Sequence, residues 1–141
     1  MVKKARRQTL LVGGLFTVLF SMFLSLSLQA QEGHPLSGVW LGDWGTSEDS
    51  RSFAVLELNW RDTTLSGNIN PGFPDQAVIE IGELNSSDWT VHLEAMGNDE
   101  NGNPVRTIID GQLENLGSAK RTLSGTWVRG NSRGNFLVIR E

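Results

Sequence analysis

Cysteine and tyrosine are both absent from these 141 residues, and histidine occurs only twice. The missing cysteine excludes a disulfide framework, a lipid-modified thiol and every thiolate metal site. Two isolated histidines, His34 and His92, fall short of the three or four clustered ligands of a zinc site, so neither a metal nor another cofactor is expected. Also absent beyond residue 30 is any stretch of ten or more residues with apolar side chains at a 3.6-residue period, which argues against helices.

The long hydrophobic run that does exist belongs to targeting. Lys3, Lys4, Arg6 and Arg7 form a basic head, an apolar run follows from Leu10 to Leu28, and Ser27-Leu28-Gln29-Ala30 resembles a peptidase site. Residues 1–30 are therefore read as a signal peptide, with an uncleaved membrane anchor as the alternative because 19 residues nearly span a bilayer. The expected address is exported, periplasmic or extracellular. Removing them leaves 141 − 30 = 111 residues, 31–141, enough for one domain that buries roughly two-thirds of its unfolded surface. All 16 acidic residues lie after Ala30 and four of the 12 basic ones before it, so the remainder carries 8 − 16 = −8. Such a surface repels phosphate backbones, and no nucleic-acid partner is expected. Arg121, Arg129, Arg133 and Arg140 read as the solvated exterior of the last strands.

Short β-type runs alternate with turn clusters along the rest of the chain. Eight strands are expected near 37–44, 52–60, 64–70, 77–84, 88–96, 104–114, 120–129 and 134–140, each break being short enough for antiparallel neighbours. Asn101-Gly102 is the strongest hairpin signature, since both residues tolerate the positive φ of a tight reversal. Trp89, Val91, Leu93 and Ala95 alternate with Thr90, His92 and Glu94, which gives one dry face and one wet face. Gly38, Gly67, Gly111 and Gly125 all fall on the dry side, where a missing side chain lets a coiled strand bend. The expected fold is all-β: an eight-stranded antiparallel up-and-down β-barrel.

Gly38-Val39-Trp40 resembles the opening of lipocalin and avidin-type barrels, in which the tryptophan packs across the closed end. Leu65-Ser66-Gly67-Asn68-Ile69 and Leu123-Ser124-Gly125-Thr126-Trp127 are similar to avidins in rhythm, so the likeness spans 36–140. Where an avidin places polar biotin contacts, this chain has Leu41-Gly42-Asp43-Trp44-Gly45-Thr46, of which only Thr46 matches in kind; the resemblance implies a fold and not biotin binding. The stretch from His34 to Gly45 also resembles the opening of exported bacterial proteins of unassigned role, which implies an envelope or extracellular address.

Nothing in the chain assembles into a catalytic constellation, and no enzymatic activity is expected. His92 reads as a solvated histidine of the wet face, and His34 as a cover over the first strand. Carboxylates in strands, such as Asp43, Glu57, Glu80 and Asp110, form pairs by chance in so acidic a chain. The loop from Asp99 to Asn103 lacks the length and terminal Glu of a calcium loop. Tryptophan is the departure from routine. Trp40, Trp89 and Trp127 are expected inside, whereas Trp44 lies at a strand end beside Asp43 and Thr46. The leading reading is a non-catalytic barrel that binds a small or partly apolar ligand at its open end through Trp44, Asp43, Thr46, Trp40 and Trp127. The alternatives are an interaction domain for an envelope protein, suggested by Leu41 and Ile108 at wet positions, and a carbohydrate-binding module, which requires exposed tryptophan plates.

Overall fold

The computed structural model describes residues 33–141; the expected signal segment at residues 1–30 lies outside them. Eight strands follow one another: β1 (Gly38–Gly45), β2 (Arg51–Arg61), β3 (Thr64–Ile69), β4 (Ala77–Asn85), β5 (Thr90–Asn98), β6 (Pro104–Glu114), β7 (Thr122–Arg129) and β8 (Ser132–Arg140). Each pairs antiparallel with the next, and β8 returns to β1 through Trp40↔Arg140 to Gly45↔Asn135. The barrel is closed and up-and-down, as expected from the alternation and the turns.

Closure works because alternate residues of every strand point inward. Trp40 and Trp44, Leu56 and Leu58, Leu65 and Ile69, Val91 to Ala95, Ile109 and Leu113, Leu123 and Trp127, Phe136 and Val138 form one buried cluster. Glycine permits the curvature where inner faces crowd. Gly111 and Gly125 stand opposite one another, and a Cβ on Gly125 would overlap the Asp110 carbonyl oxygen. Gly67 has φ +151°, and a Cβ there would overlap the carbonyl oxygen of Glu57 on β2. These are close backbone approaches that no other residue allows.

The two ends differ. At the closed rim, residues 34–37 turn across the opening: Ser37 N donates to His34 O at 2.9 Å, Leu36 is fully buried, and Trp40 Nε1 donates to Leu36 O at 2.9 Å. The 62–63, 86–89 and 115–121 connections lie at this rim, and Glu141 N donates to Val39 O. Residues 46–50, 70–76, 99–103 and 130–131 form the open rim.

Three of the four arginines read as wet-face residues turn out otherwise. Arg121 is 4% exposed, with Nε donating to Leu116 O at 3.3 Å. Arg129 and Arg140 share the inward parity of Trp127 and Val138, and only Arg133 is exposed on the wet face. The reason is position. The last inward residue of a strand sits at a rim, where a long side chain keeps its stem on apolar surface while the guanidinium reaches unpaired carbonyls. Trp89 also moves, from the predicted strand into the β4–β5 turn, where it has φ +59° and packs half-buried against the core.

Candidate functional site

Of the five residues singled out, three converge at the open rim. Trp44 is the penultimate residue of β1 and Trp127 lies near the end of β7, with β8 between them. Gly134 of β8 stands opposite Trp127 and offers no side chain to keep the indoles apart. Their ring centroids are 5.1 Å apart with planes inclined at 42°, a tilted pair of the kind aromatic quadrupoles favour. Trp127 Nε1 donates to Asn135 O at 3.1 Å, which fixes that ring. Each tryptophan is 7% exposed, so the pair forms a floor rather than free-standing plates.

Above that floor lies a cleft of about 500 Å³, walled by Thr46, Ser50, Asp75, Asp99 and Arg129 among others. Arg129 spans the rim: Nη1 donates to Thr107 Oγ1 at 3.1 Å and Asp75 O at 3.2 Å, and Nη2 to Asn98 O at 2.8 Å. Asp75 is reached by Asn70, whose Nδ2 donates to Oδ2 at 2.9 Å while its Oδ1 accepts from Val55 N at 2.8 Å. Asp99 accepts from Asn103 N and Asn101 N, both at 2.9 Å. The Asn103 amide, with that of Asn101, holds the Asp99 carboxyl below its ordinary range, so it stays ionised in mildly acidic solution.

The other two residues stand elsewhere. Asp43 points to the outer wall, where Arg51 binds its carboxylate and also Asn135. Trp40 is fully buried above the closed-rim plug. Asp75, Asp99 and Arg129 were missed because they come from the β3–β4 connection, the β5–β6 connection and the end of β7 and share no local pattern. Barrel closure and the folding of the two loops over the rim bring them together.

Among the described residues no group of three or more His, Asp or Glu is placed to hold a metal ion. Both histidines are engaged. His34 stacks on Trp60 with centroids 4.1 Å apart and planes at 6°, and its Nδ1 accepts from Leu36 N at 3.3 Å. Burial lowers its pKa. No protein-family model, curated protein or solved structure matches the chain. The closed eight-stranded barrel is thus shown by the structure, while the likeness to lipocalins and avidins rests on the sequence motifs alone.

Proposed function

We propose that the protein is a non-catalytic, exported barrel that binds a small, partly apolar ligand at its open rim, in the periplasm or outside the cell. The observation that carries this reading is the Trp44–Trp127 pair lying beneath a cleft with mixed polar walls. An indole floor takes a flat apolar face, while Thr46, Asp75, Asp99 and Arg129 offer hydrogen bonds to a polar edge. Export is supported by the basic head and apolar run of residues 1–30. A non-catalytic role is supported by the engagement of both imidazoles with neighbours rather than with a nucleophile.

Calorimetric titration with a panel of small aromatic and aliphatic ligands, each bearing one polar group, tests the reading. At least one should bind, with affinity lowered about tenfold in Thr46→Ala or Trp44→Phe. Silence across the panel, or binding indifferent to both changes, defeats it.

A second reading, docking on an envelope protein, is favoured by the outer wall of β8, β1 and β2. Phe53, Leu137, Ile139 and Val39 are all exposed there; Leu137 and Phe53 flank Asp43 in one cross-strand row. Ile139, Leu41 and Val55 fill the next row. Cross-linking in intact cells should then give an adduct that Phe53→Ser with Leu137→Ser abolishes; an unchanged adduct removes the support.

A further inference from the structure

The opposite outer wall, β4 to β7, is built differently. Register places Glu83, His92, Asp110 and Thr126 in one cross-strand row, and Asn85, Thr90, Gln112 and Ser124 in the next. All eight can hydrogen-bond, and no apolar side chain interrupts either row. They line the margins of a depression of about 810 Å³, whose lining also includes Gly82, Gly111 and Gly125 and the indole of Trp60. The space exists because β3 and β4 pair only at Gly67–Ile69 with Ala77–Ile79, after which the register of β4 shifts between Ile79 and Ile81. Glycines on three strands, Gly82, Gly111 and Gly125, let Leu65, Phe136 and the Asp110 backbone pack close behind the wall.

Several of these groups are held ready. Gln112 Nε2 donates to Asp88 O at 2.7 Å, which orients the amide and leaves its Oε1 as an acceptor. His92 is fixed between two carboxylates, with Nδ1 2.6 Å from Asp110 Oδ1 and Nε2 3.3 Å from Glu94 Oε1. The bond to Asp110, helped by Glu94, raises the His92 pKa. Ser124 and Thr126 hydroxyls have no side-chain partner among the described residues, so both remain available. Trp60 has one face covered by the stacked His34 ring, and its Nε1 donates to Asp62 O at 2.9 Å; the ring is a fixed plate.

From this geometry we propose that the β4–β7 wall binds a neutral oligosaccharide, with Trp60 stacking on the C–H face of one sugar ring and Gln112, Asp110, Ser124 and Thr126 bonding hydroxyls along the chain. Carboxylate and amide oxygens accept from sugar hydroxyls, while serine and threonine hydroxyls serve in either sense. Neighbouring strands are about 4.8 Å apart, close to the advance of one hexose in an extended chain, so successive units meet successive strands. The wall suits neither of the obvious competitors. Glu83 and Asp110 repel an anionic polymer, and a wholly apolar ligand resting on Trp60, Leu84 and Val91 would still strand the eight polar groups around them, whereas a sugar presents both C–H faces and hydroxyls. The proposal does not rest on the open-rim reading, since the two sites share no residue.

Isothermal calorimetry of the full-length chain against cellohexaose, xylohexaose, maltohexaose and chitohexaose provides the test, backed by thermal melts. At least one hexasaccharide is expected to bind, and Gln112→Ala combined with Ser124→Ala, both half-buried, should weaken it by about tenfold or more while the melt shows the barrel still folded. Trp44→Phe should leave that affinity unchanged. Absence of binding by all four overturns the proposal, as does binding that survives the Gln112/Ser124 double variant. Binding that is lost in Trp44→Phe yet kept in the double variant would assign the sugar to the open rim and overturn the outer-wall site.

Discussion

Asn70 joins the open rim to the barrel wall through its side-chain amide. It is 2% exposed with φ +45°, and its amide serves Val55 N and the Asp75 carboxylate together. Asn70→Ala orphans the part-buried Val55 N–H and forces a Cβ-bearing residue without a local hydrogen bond into the left-handed region. The expected loss is about 2–4 kcal/mol in urea unfolding, and Asn70→Gly, which relieves the backbone, should lose less. Trp89 gives the complementary case. Its φ of +59° is unfavourable for an aromatic residue, and the cost is borne because the ring packs on the core while its carbonyl accepts from Leu113 N at 2.9 Å. Both Trp89→Gly and Trp89→Ala lose that packing. Glycine should nonetheless be the more stable of the two by about 1 kcal/mol, the reverse of their usual order inside regular structure.

Among elements, the strands were legible because a two-residue alternation survives in the sequence wherever one face is dry. The β6 expectation of 104–114 matches the structure, and the Asn101-Gly102 reversal sits where expected, with Gly102 at φ +81°. The β5 start was misplaced by two residues because Trp89 continues the apolar alternation of Val91 and Leu93 although the backbone is still turning. Trp44, Thr46 and Trp127 could be found as a site from strand-end position and parity; Asp75, Asp99 and Arg129 could not, since their meeting depends on how two loops fold over the end of β7 at the rim. The outer-wall rows were invisible for a related reason. Each strand shows polar residues at alternate positions, but their juxtaposition is a property of register. Register is also what the inward glycines protect. Gly125→Ala, which drives a methyl into the Asp110 carbonyl, should cost about 3 kcal/mol or more, whereas Gly117→Ala, with open space around it, should stay within about 0.5 kcal/mol by the same unfolding measurement.

For the molecule as a whole, charge is distributed unevenly around the barrel, and pH should read that out. His92 faces Asp110 from β6, Glu83 from β4 and Glu94 on its own strand, while Arg106 binds Glu94 and lies 4.0 Å from Glu80. Because the His92 pKa is raised above its ordinary 6.5, its stabilisation is complete below that value and disappears as pH climbs through the higher folded pKa. Glu94 is depressed, first by His92 and then by Arg106, so its contribution is present above the ordinary glutamate value and is lost on acidification. Warming from pH 6 and from pH 8.5 should therefore show wild type losing slightly more melting temperature than His92→Gln at the higher pH, by on the order of a degree or two, since the imidazole is about one-third exposed and solvent screens it. Equal losses would mean that the array contributes nothing measurable.

The path of the chain carries a practical corollary. An even number of hairpin-linked strands returns the backbone to the rim at which it started, so His34 and Glu141 share the plugged face and the indole-floored cleft looks the other way. A handle attached at Glu141 therefore leaves the indole-floored cleft unobstructed: immobilised on a sensor chip by that residue, the cylinder stands with its cleft toward the flowing analyte, whereas the hydroxyl-rich flank, which reaches Trp60, Asn85 and Thr90 at the plugged rim, lies nearer the chip.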